Sequence, residues 1–502
     1  MMFSFLIQFL VFALCATTLG AQSKTRDDCS YVVAGKDASA THSVLVSYNN
    51  DFTGKNVVAV EHVEPTHVGL TLVMAPPSCR RAMIGIRAEG RGDSLTWGYM
   101  RVKVELGSSN KYVTENFMNE AGLSMAFGAY NYALPALVDN DGGDPFVSSG
   151  VGYEYWDLAA MYCMTPQCAM NLLQLLANAC GFSEDLVGSM PVFTQDEAWN
   201  IEIFSGHNWI AKRIPDDQVL LATNEMTTRS DCDVNDPSTC RASPGIITLG
   251  INSHLYDPST GPFDAAKCFS VPGSSALIRR WRLHNLFANE WLENSGYTYT
   301  TTGQFYPTTV HPDVPVTQTM LRDMARDHNE DTELARDYVL GSPHFEPWTP
   351  IDRAFKTYNM EFHPEGIPKF YLEPASACIS AFLPFYANAR TTPAIWRPDV
   401  SGQGLQYPFN TAKLIRERMD SNSDPLRYHD FIEPLWAFTL PWENSMQTQT
   451  DQNDLAIEAT SSYTQKFALM ANFMDSISAS HAAMLNNVLD MISNKGLKPH
   501  GQ

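Results

Sequence analysis

A succession of short β-rich runs between residues 29 and 224 constrains the fold of this chain most. The runs alternate apolar and polar residues or are rich in Val, Ile and Tyr, and Gly, Asn, Asp and Pro separate them. They are SYVVAG, HSVLVSYN, NVVAVEHV, GLTLVMA, AMIGIRAEG, SLTWGYMRVKVEL, GLSMAFGAY, AWNIEIFSG, HNWIAKRIP and QVLLATNEM. Two stretches with helical spacing, around residues 157–182 and 274–296, accompany them. Strand runs with packed helices predict an α+β or layered architecture.

The C-terminal part of the chain has a different pattern. Residues 297–450 are rich in Pro, Asp and aromatic residues and contain few long periodic runs, so we expect irregular structure that covers the core. A long helical pattern returns in residues 451–502, and its apolar stripe is typical of core packing rather than of a cofactor site. We therefore expect a main domain over residues 29–450, followed by a helical segment.

The N-terminus, MMFSFLIQFLVFALCATTLGAQSK, has the apolar run and the small residues of a signal peptide, which we assign to residues 1–20. This predicts the secretory pathway, with a secreted or lysosome-like destination. No later segment has the apolar length of a membrane span, so we expect no membrane partner after the signal peptide is removed.

The charge balance and the motifs exclude several classes of function. The chain has 34 Lys and Arg against 55 Asp and Glu, a net charge of −21, and no basic cluster, which argues against nucleic acid as a partner. No phosphate-binding glycine loop, H-E-x-x-H or G-x-S-x-G motif is present. The sequence predicts neither a cofactor nor a metal, and it leaves open a homo-oligomer.

The cysteines suggest disulfides and a reactive thiol. Of ten cysteines, one belongs to the predicted signal peptide, so an odd number remains in the exported chain. Cys232 and Cys240 bracket one loop, and Cys163, Cys168 and Cys180 lie close together in sequence, so several pairings are open. A metal site at Cys163 and Cys168 is the weaker alternative, because no paired His or second cysteine pair accompanies them.

Cys29 is the first cysteine after the signal peptide and opens a strand-like run. A nucleophilic thiol needs a base within hydrogen-bond reach, and no histidine is evidently provided for it. Cleavage of the Asp28–Cys29 bond would free an α-amine with a usual pKa of roughly 7.7 to 8, which can be that base. Residues 21–28 would then be a short propeptide. On this interpretation, the odd thiol in the cysteine count is the nucleophile.

Three sequence blocks resemble a known family. The first has Cys29, Gly35, Lys36, Ala38, Ser39, Ser43, Asn50 and Asp51, and the second has Asn119, Glu120 and Gly122 in MNEAGLSMAFG. The third is DEAWNIEIFSGHNWIAKRIPDDQVLLATN, residues 196–224. Together they resemble the dipeptidase A and secernin family of cysteine N-terminal-nucleophile hydrolases, over residues 29 to about 390.

The resemblance implies a four-layer αββα sandwich of α+β class, autocatalytic exposure of Cys29, and hydrolysis of dipeptides or very short peptides. It implies that Cys29 attacks the scissile carbonyl, that Asp51 orients or stabilises the α-ammonium, and that Asn224 donates to the oxyanion. A turn asparagine that closes a strand is the alternative for Asn224. Further candidates for binding the substrate or the oxyanion are Asn119, Asn131, Arg279 and Arg280.

One position departs from the family pattern. Many relatives carry an arginine a few residues before the aspartate, where this chain has Tyr48, so a guanidinium near the thiol must come from elsewhere. The segment SSALIRRWRLHN offers Arg279, Arg280 and Arg282, for each of which a solvated helix face is the alternative.

The sequence leaves two other functions open. An acyl-amide hydrolase of the same fold, similar to penicillin V acylase, would need an apolar acyl pocket, whereas a dipeptidase would need an acidic group for the substrate ammonium. A catalytically inactive, secernin-like binding protein would keep the fold without the reaction.

Overall fold

The computed structural model describes most of the chain. The described residues are 29–50, 58–106, 111–127, 143–270, 274–300, 305–334, 356–362, 367–397, 407–420 and 426–494. The predicted signal peptide and propeptide, together with Asp51 and Asn131, lie outside these ranges.

The strands of the described residues form two antiparallel sheets. They are β1 Cys29–Ala34, β2 Leu45–Asn50, β3 Val58–Val63, β4 Tyr99–Leu106, β5 Lys111–Asn119, β6 Ser124–Ala126, β7 Gly188–Phe193, β8 Ala198–Ile203, β9 Trp209–Ile214, β10 Val219–Ala222, β11 Cys240–Ala242, β12 Lys356–Phe362, β13 Pro368–Pro374 and β14 Leu383–Tyr386. The first sheet has the order β10-β1-β2-β12-β13-β14. The second sheet has the order β11-β9-β8-β7-β6-β5-β4-β3.

Helices follow or separate the strands along the chain. They are α1 Arg80–Met83, α2 Glu154–Tyr162, α3 Pro166–Cys180, α4 Ile246–Asn252, α5 Ala265–Phe269, α6 Ser274–Phe287, α7 Asn289–Ser295, α8 Gln318–Ala325, α9 Pro408–Asp420, α10 Leu426–Glu458 and α11 Tyr463–Asn494. Among the described helices, none combines the length and apolar character needed to cross a membrane.

Three hydrophobic clusters lie between four layers of secondary structure: helices, the first sheet, the second sheet and further helices. Val32 and Leu221 of the first sheet pack outward with Leu283 of α6 and Met324 of α8. The outer face of the second sheet packs on α2 and α3 through another cluster. Between the sheets, side chains of both form a shared core. The predicted αββα sandwich is confirmed. Since both faces of each sheet are covered, strands such as β1 and β8 are buried at every position.

The sequence interpretation of residues 297–450 was wrong. This region supplies β12, β13 and β14, which are half of the first sheet, and the long helix α10. Two predicted strands were also wrong, because most of GLTLVMA lies in a 3₁₀ helix, Val68–Val73, and AMIGIRAEG begins with the end of α1. The predicted C-terminal helix is present as α11, which packs with α9 and α10 in one cluster.

Three disulfides join described cysteines. They are Cys79–Cys180, Cys163–Cys168 and Cys232–Cys240. Cys29, Cys268 and Cys378 hold reduced thiols, so the expectation of a single odd thiol was wrong. Cys268 and Cys378 are buried in two different clusters, which explains why they do not bond to each other.

Candidate active site

Cys29 is the first residue of β1, a strand inside the first sheet. Its register partner on β2 is Asn50, and β10 lies on the other side of β1. Cys29 is buried with Tyr31 and Val33 in the core between the sheets. The sulfur therefore belongs to the interior of the sandwich, at the end of a rigid strand.

Asn224 and Arg279 surround the main chain of Cys29. The backbone nitrogen of Cys29 donates to Oδ1 of Asn224 at 2.7 Å. Arg279 donates to the same Oδ1 at 2.6 Å, to the carbonyl oxygen of Cys29, and to the hydroxyl of Ser30 at 2.8 Å. These contacts fix Oδ1 of Asn224 as the acceptor and thereby define the orientation of its amide.

A buried carboxylate holds the loop that carries Asn224. Glu202 of β8 accepts from the backbone nitrogens of Thr227 at 2.6 Å and Thr228 at 3.0 Å. On the other side of Asn224, the hydroxyl of Thr223 donates to the carbonyl of Ala276 in α6 at 2.9 Å. Burial raises the pKa of Glu202, although its hydrogen bonds oppose this shift. The second sheet and α6 thus position Asn224 from two sides.

Arg279 and Arg280 are both buried, so the solvated helix face is not what the structure shows. Arg280 pairs with Glu225 at 3.1 Å and lies over the ring of Tyr306. Burial raises the pKa of Glu225, and the charge of Arg280 opposes this shift. Arg279 reaches Cys29, whereas Arg280 anchors the residue after Asn224. The two neighbouring arginines therefore have different tasks.

Tyr48 is a residue that sequence reasoning noticed only as a departure from the family. Its hydroxyl lies 3.3 Å from Sγ of Cys29, and the side chain is fully buried. The only signal for it was its place where relatives have arginine. The structure puts a neutral hydrogen-bonding group beside the sulfur at that position.

The structure gives Asn119 another role than the predicted one. Its amide nitrogen donates to the carbonyls of Ala160 and Cys163 at the end of α2, at 3.0 and 2.7 Å. Its oxygen accepts from the backbone nitrogens of Ala121 and Leu123. Asn119 thus joins a turn to the helix outside the second sheet, so it does not fit substrate or oxyanion binding. Asp51 and Asn131 lie outside the described residues.

Cys268 lacks the features of a nucleophile, and the described residues contain no candidate metal site. Burial raises the pKa of the Cys268 thiol to about 11, which keeps it protonated and a poor nucleophile. Within the part of the chain that the structure describes, no group of three or more His, Cys, Asp or Glu side chains could hold a metal ion.

The chain is similar in sequence to curated proteins that are named dipeptidase or probable dipeptidase. The probable dipeptidase of Salmonella dublin is 23% identical over 384 residues, 72% of this chain and 81% of the relative. The dipeptidase of Bifidobacterium longum is 23% identical over 420 residues, 73% of this chain and 72% of the relative. Dipeptidase A of Lactobacillus helveticus is 25% identical over 253 residues, 47% of this chain and 50% of the relative.

The model of Peptidase family C69 matches residues 28–422, and the chain belongs to this family of peptidases. The predicted membership of the dipeptidase A family is thereby confirmed. Among solved structures, penicillin V acylase from Agrobacterium tumefaciens has 11% identity and a TM-score of 0.29, over 71% of this chain and 85% of that chain. That similarity is too low to inform function.

Proposed function

We propose that this chain is a cysteine dipeptidase in which Cys29, once it is the N-terminal residue, supplies both the nucleophile and the base. The observation that carries this proposal is the placement of Cys29 at the head of β1, with its nitrogen bonded to Asn224. A nitrogen held on a rigid strand is a suitable base for the thiol of the same residue.

The first step is hydrolysis of the Asp28–Cys29 peptide bond. Sγ of Cys29 attacks the carbonyl of Asp28, and the C–N bond breaks as the nitrogen of Cys29 takes the thiol proton. Water then hydrolyses the thioester, which restores the thiol and leaves Cys29 with a free α-amine. Its hydrogen bond to Oδ1 of Asn224 persists, because an amine is also a donor. That bond orients the amine lone pair for the thiol proton.

Peptide hydrolysis then follows in two halves. The α-amine takes the thiol proton, Sγ attacks the scissile carbonyl, and the resulting ammonium protonates the leaving amine as the C–N bond breaks. Water next attacks the thioester, giving its proton to the α-amine, and the sulfur leaves and is protonated again. The products are two amino acids when the substrate is a dipeptide.

Asn224 and Tyr48 can stabilise the negative charges that develop on the oxyanion and on the thiolate. Oδ1 of Asn224 accepts from Cys29 and Arg279, and in the proposed reaction the Nδ2 group of the same amide donates to the oxyanion. The Tyr48 hydroxyl, 3.3 Å from Sγ, can donate to the thiolate. The predicted roles of Cys29 and Asn224 are retained, with Tyr48 added.

The proposed specificity for dipeptides is supported by the relatives. The relative from Salmonella dublin is named a probable dipeptidase, and the relative from Bifidobacterium longum is named a dipeptidase. The apolar run in residues 2–16 supports export, and we place the enzyme in a secreted or lysosome-like compartment.

The test combines mass spectrometry of the mature N-terminus with a dipeptide hydrolysis screen. We expect the wild-type chain to begin at Cys29 and to release amino acids from dipeptides. Cys29→Ala should retain the predicted propeptide, which ends in QSKTRDD, and lose turnover, and Cys29→Ser should process slowly and lose most turnover. Cys268→Ala is the matched control, because this buried thiol is in another cluster.

Two results would reject the proposal. One is full dipeptidase activity in purified Cys29→Ala. The other is a wild-type chain that starts at Gln22 or earlier and has Cys29 in a disulfide.

A further inference from the structure

An irregularity in β5 brings two polar residues toward the nucleophile. Along the pairing of β4 with β5, Thr114 pairs with Lys103 and Asn116 with Val102, so Glu115 is an extra residue, a β-bulge. Bulges re-aim side chains and are frequent beside active sites.

The flanking residues show which way the bulge points. The hydroxyl of Thr114 donates to Asp157 in the helical layer, and Phe117 belongs to the outer cluster. Met118, by contrast, belongs to the core between the sheets. Since side chains alternate along a strand, Asn116 shares the inner face with Met118. Glu115 also points inward, because it contacts the first sheet.

That contact leads directly to Cys29. Oε1 of Glu115 accepts a hydrogen bond of 2.6 Å from Nδ2 of Asn50. Asn50 is the register partner of Cys29 on the neighbouring strand. Directly opposed residues of an antiparallel pair project from the same face, with Cβ atoms about 4.5 to 5.5 Å apart. A carboxylate is thus held one side chain away from the thiol.

Both residues of this part of β5 are buried. Glu115 is 6% exposed and Asn116 is wholly buried. Neither the oxygen nor the nitrogen of the Asn116 amide makes a hydrogen bond with the described residues. Buried polar groups in proteins are nearly always hydrogen-bonded, so an amide without a partner among the described residues calls for a ligand, an ion or a water. A buried carboxylate is stabilised by a cation that brings its own hydrogen-bond donors.

We propose that Glu115 and Asn116 bind the α-ammonium of the substrate and so restrict the enzyme to peptides with a free N-terminus. The inference rests on the proposed function. The α-ammonium is two bonds from the scissile carbonyl, so the subsite must lie beside the nucleophile. An ammonium has three donors, of which the carboxylate of Glu115 and Oδ1 of Asn116 accept two. This is the acidic group that separates a dipeptidase from an acyl-amide hydrolase.

The experiment compares alanyl-leucine with propionyl-leucine, which lacks only the α-ammonium. We expect the mature wild-type enzyme to prefer alanyl-leucine strongly in kcat/KM. Glu115→Gln keeps an acceptor for Asn50 but removes the charge, and should lower kcat/KM for alanyl-leucine on the order of 100-fold. The value for propionyl-leucine should change little. Glu61→Gln is the control, because Glu61 pairs with Arg101, which also bonds Asp157 of the helical layer.

Each other outcome decides against the subsite. If Glu115→Gln slows both substrates equally, Glu115 positions Cys29 through Asn50. If wild-type enzyme cleaves both substrates equally well, no ammonium is recognised, and this result needs no folded variant. Activity in Cys29→Ala would reject the proposed function itself, whereas an inactive Cys29→Ala beside a fully selective Glu115→Gln would reject the subsite alone.

Discussion

Two buried arginines in this molecule occupy similar environments and have different consequences. Arg279, in α6, donates to the carbonyl of Cys29, to Ser30 and to Asn224. Arg326, after α8, donates to Glu443 of α10 at 2.6 Å and to a main-chain carbonyl. The first arginine contacts groups that the proposed reaction uses, while the second attaches a helix to the first sheet.

A buried charge does not by itself identify an active site. Burial raises the pKa of Glu443, but Arg326 and Arg322 lower it by more, so its net shift is downward. The carboxylate of Glu443 also accepts from the backbone of Phe382 at 3.0 Å. Arg326 and the backbone of Phe382 thus hold the Glu443 carboxylate, as expected for a docking contact. The contacts of a buried charge, rather than its pKa, separate the two regions.

The largest effect should come from breaking the docking contact. Glu443→Ala leaves Arg326 buried without its carboxylate, and breaking such a pair costs about 3 to 5 kcal/mol of unfolding free energy. Since this contact holds a helix and no reacting group, kcat of the folded fraction should not change. Denaturant unfolding and active-site titration measure the two quantities.

Glu417→Ala is the control in the same helical region. Glu417 is exposed and pairs with Lys413 four residues earlier, a pair expected to contribute about 0.3 to 0.5 kcal/mol. A Glu443→Ala enzyme that stays as stable as this control would contradict the docking role.

Asn224→Ala should have the opposite effect to Glu443→Ala: a large loss of kcat with a smaller loss of stability. Removing an oxyanion donor costs about 3 to 4 kcal/mol in the barrier, or roughly 10² to 10³-fold in kcat, and the loss of Oδ1 should also slow release of Cys29. Stability should fall less than in Glu443→Ala. The measurement is kcat of processed enzyme beside its unfolding free energy.

Asn119→Ala is the matched asparagine. It should destabilise the turn after β5 and leave kcat of the folded enzyme intact, because its partners are main-chain groups of that turn and α2. If both variants lose turnover equally, the distinction between the two asparagines is wrong.

Tyr48→Phe should have a smaller effect. A single neutral hydrogen bond contributes about 0.5 to 1.5 kcal/mol, so we expect kcat to fall by up to roughly tenfold, with slower alkylation of Cys29 at a given pH. Tyr155→Phe is the control, since this buried tyrosine donates to Ala169 in the helical layer. Identical alkylation rates in wild type and Tyr48→Phe would remove Tyr48 from the thiol's environment.

Sequence reasoning predicted the features that are local or that follow a family motif. The β-rich runs before residue 224 and the position of Cys29 at a strand start are local patterns, and the αββα layers followed from the resemblance. Arg279 was selected from a helical segment, and its contact with Cys29 was found at a separation of 250 residues. A motif can therefore nominate residues that lie far apart in sequence.

The remaining features depend on contacts between distant segments that no local pattern shows. Strands β12, β13 and β14 pair with one another and with β2 in the first sheet, and their Pro and aromatic content gives no local sign of this pairing. Glu115 looks like any polar strand residue until a bulge and the opposite sheet place it beside Asn50. Asn119 is of a residue type common in active sites, but its amide forms hydrogen bonds with main-chain groups of the turn and of α2.

The smallest expected effect is a loss of unfolding free energy at mildly acidic pH, caused by a buried histidine of the helical region. Burial lowers the pKa of His481 in α11 from 6.5 to about 4, against a hydrogen bond to Ala381 and the nearby charge of Glu443. Between these values the unfolded chain binds a proton that the folded chain does not, so stability present above pH 6.5 is lost as the pH falls. One such histidine should account for roughly 0.7 kcal/mol between pH 7 and pH 6.

His481→Gln should reduce the measured decline in unfolding free energy by that amount, whereas the exposed His311→Gln should not. Equal declines in both variants would place the acid sensitivity outside α11, for example at His284 beside Arg280, where burial lowers the pKa to about 3.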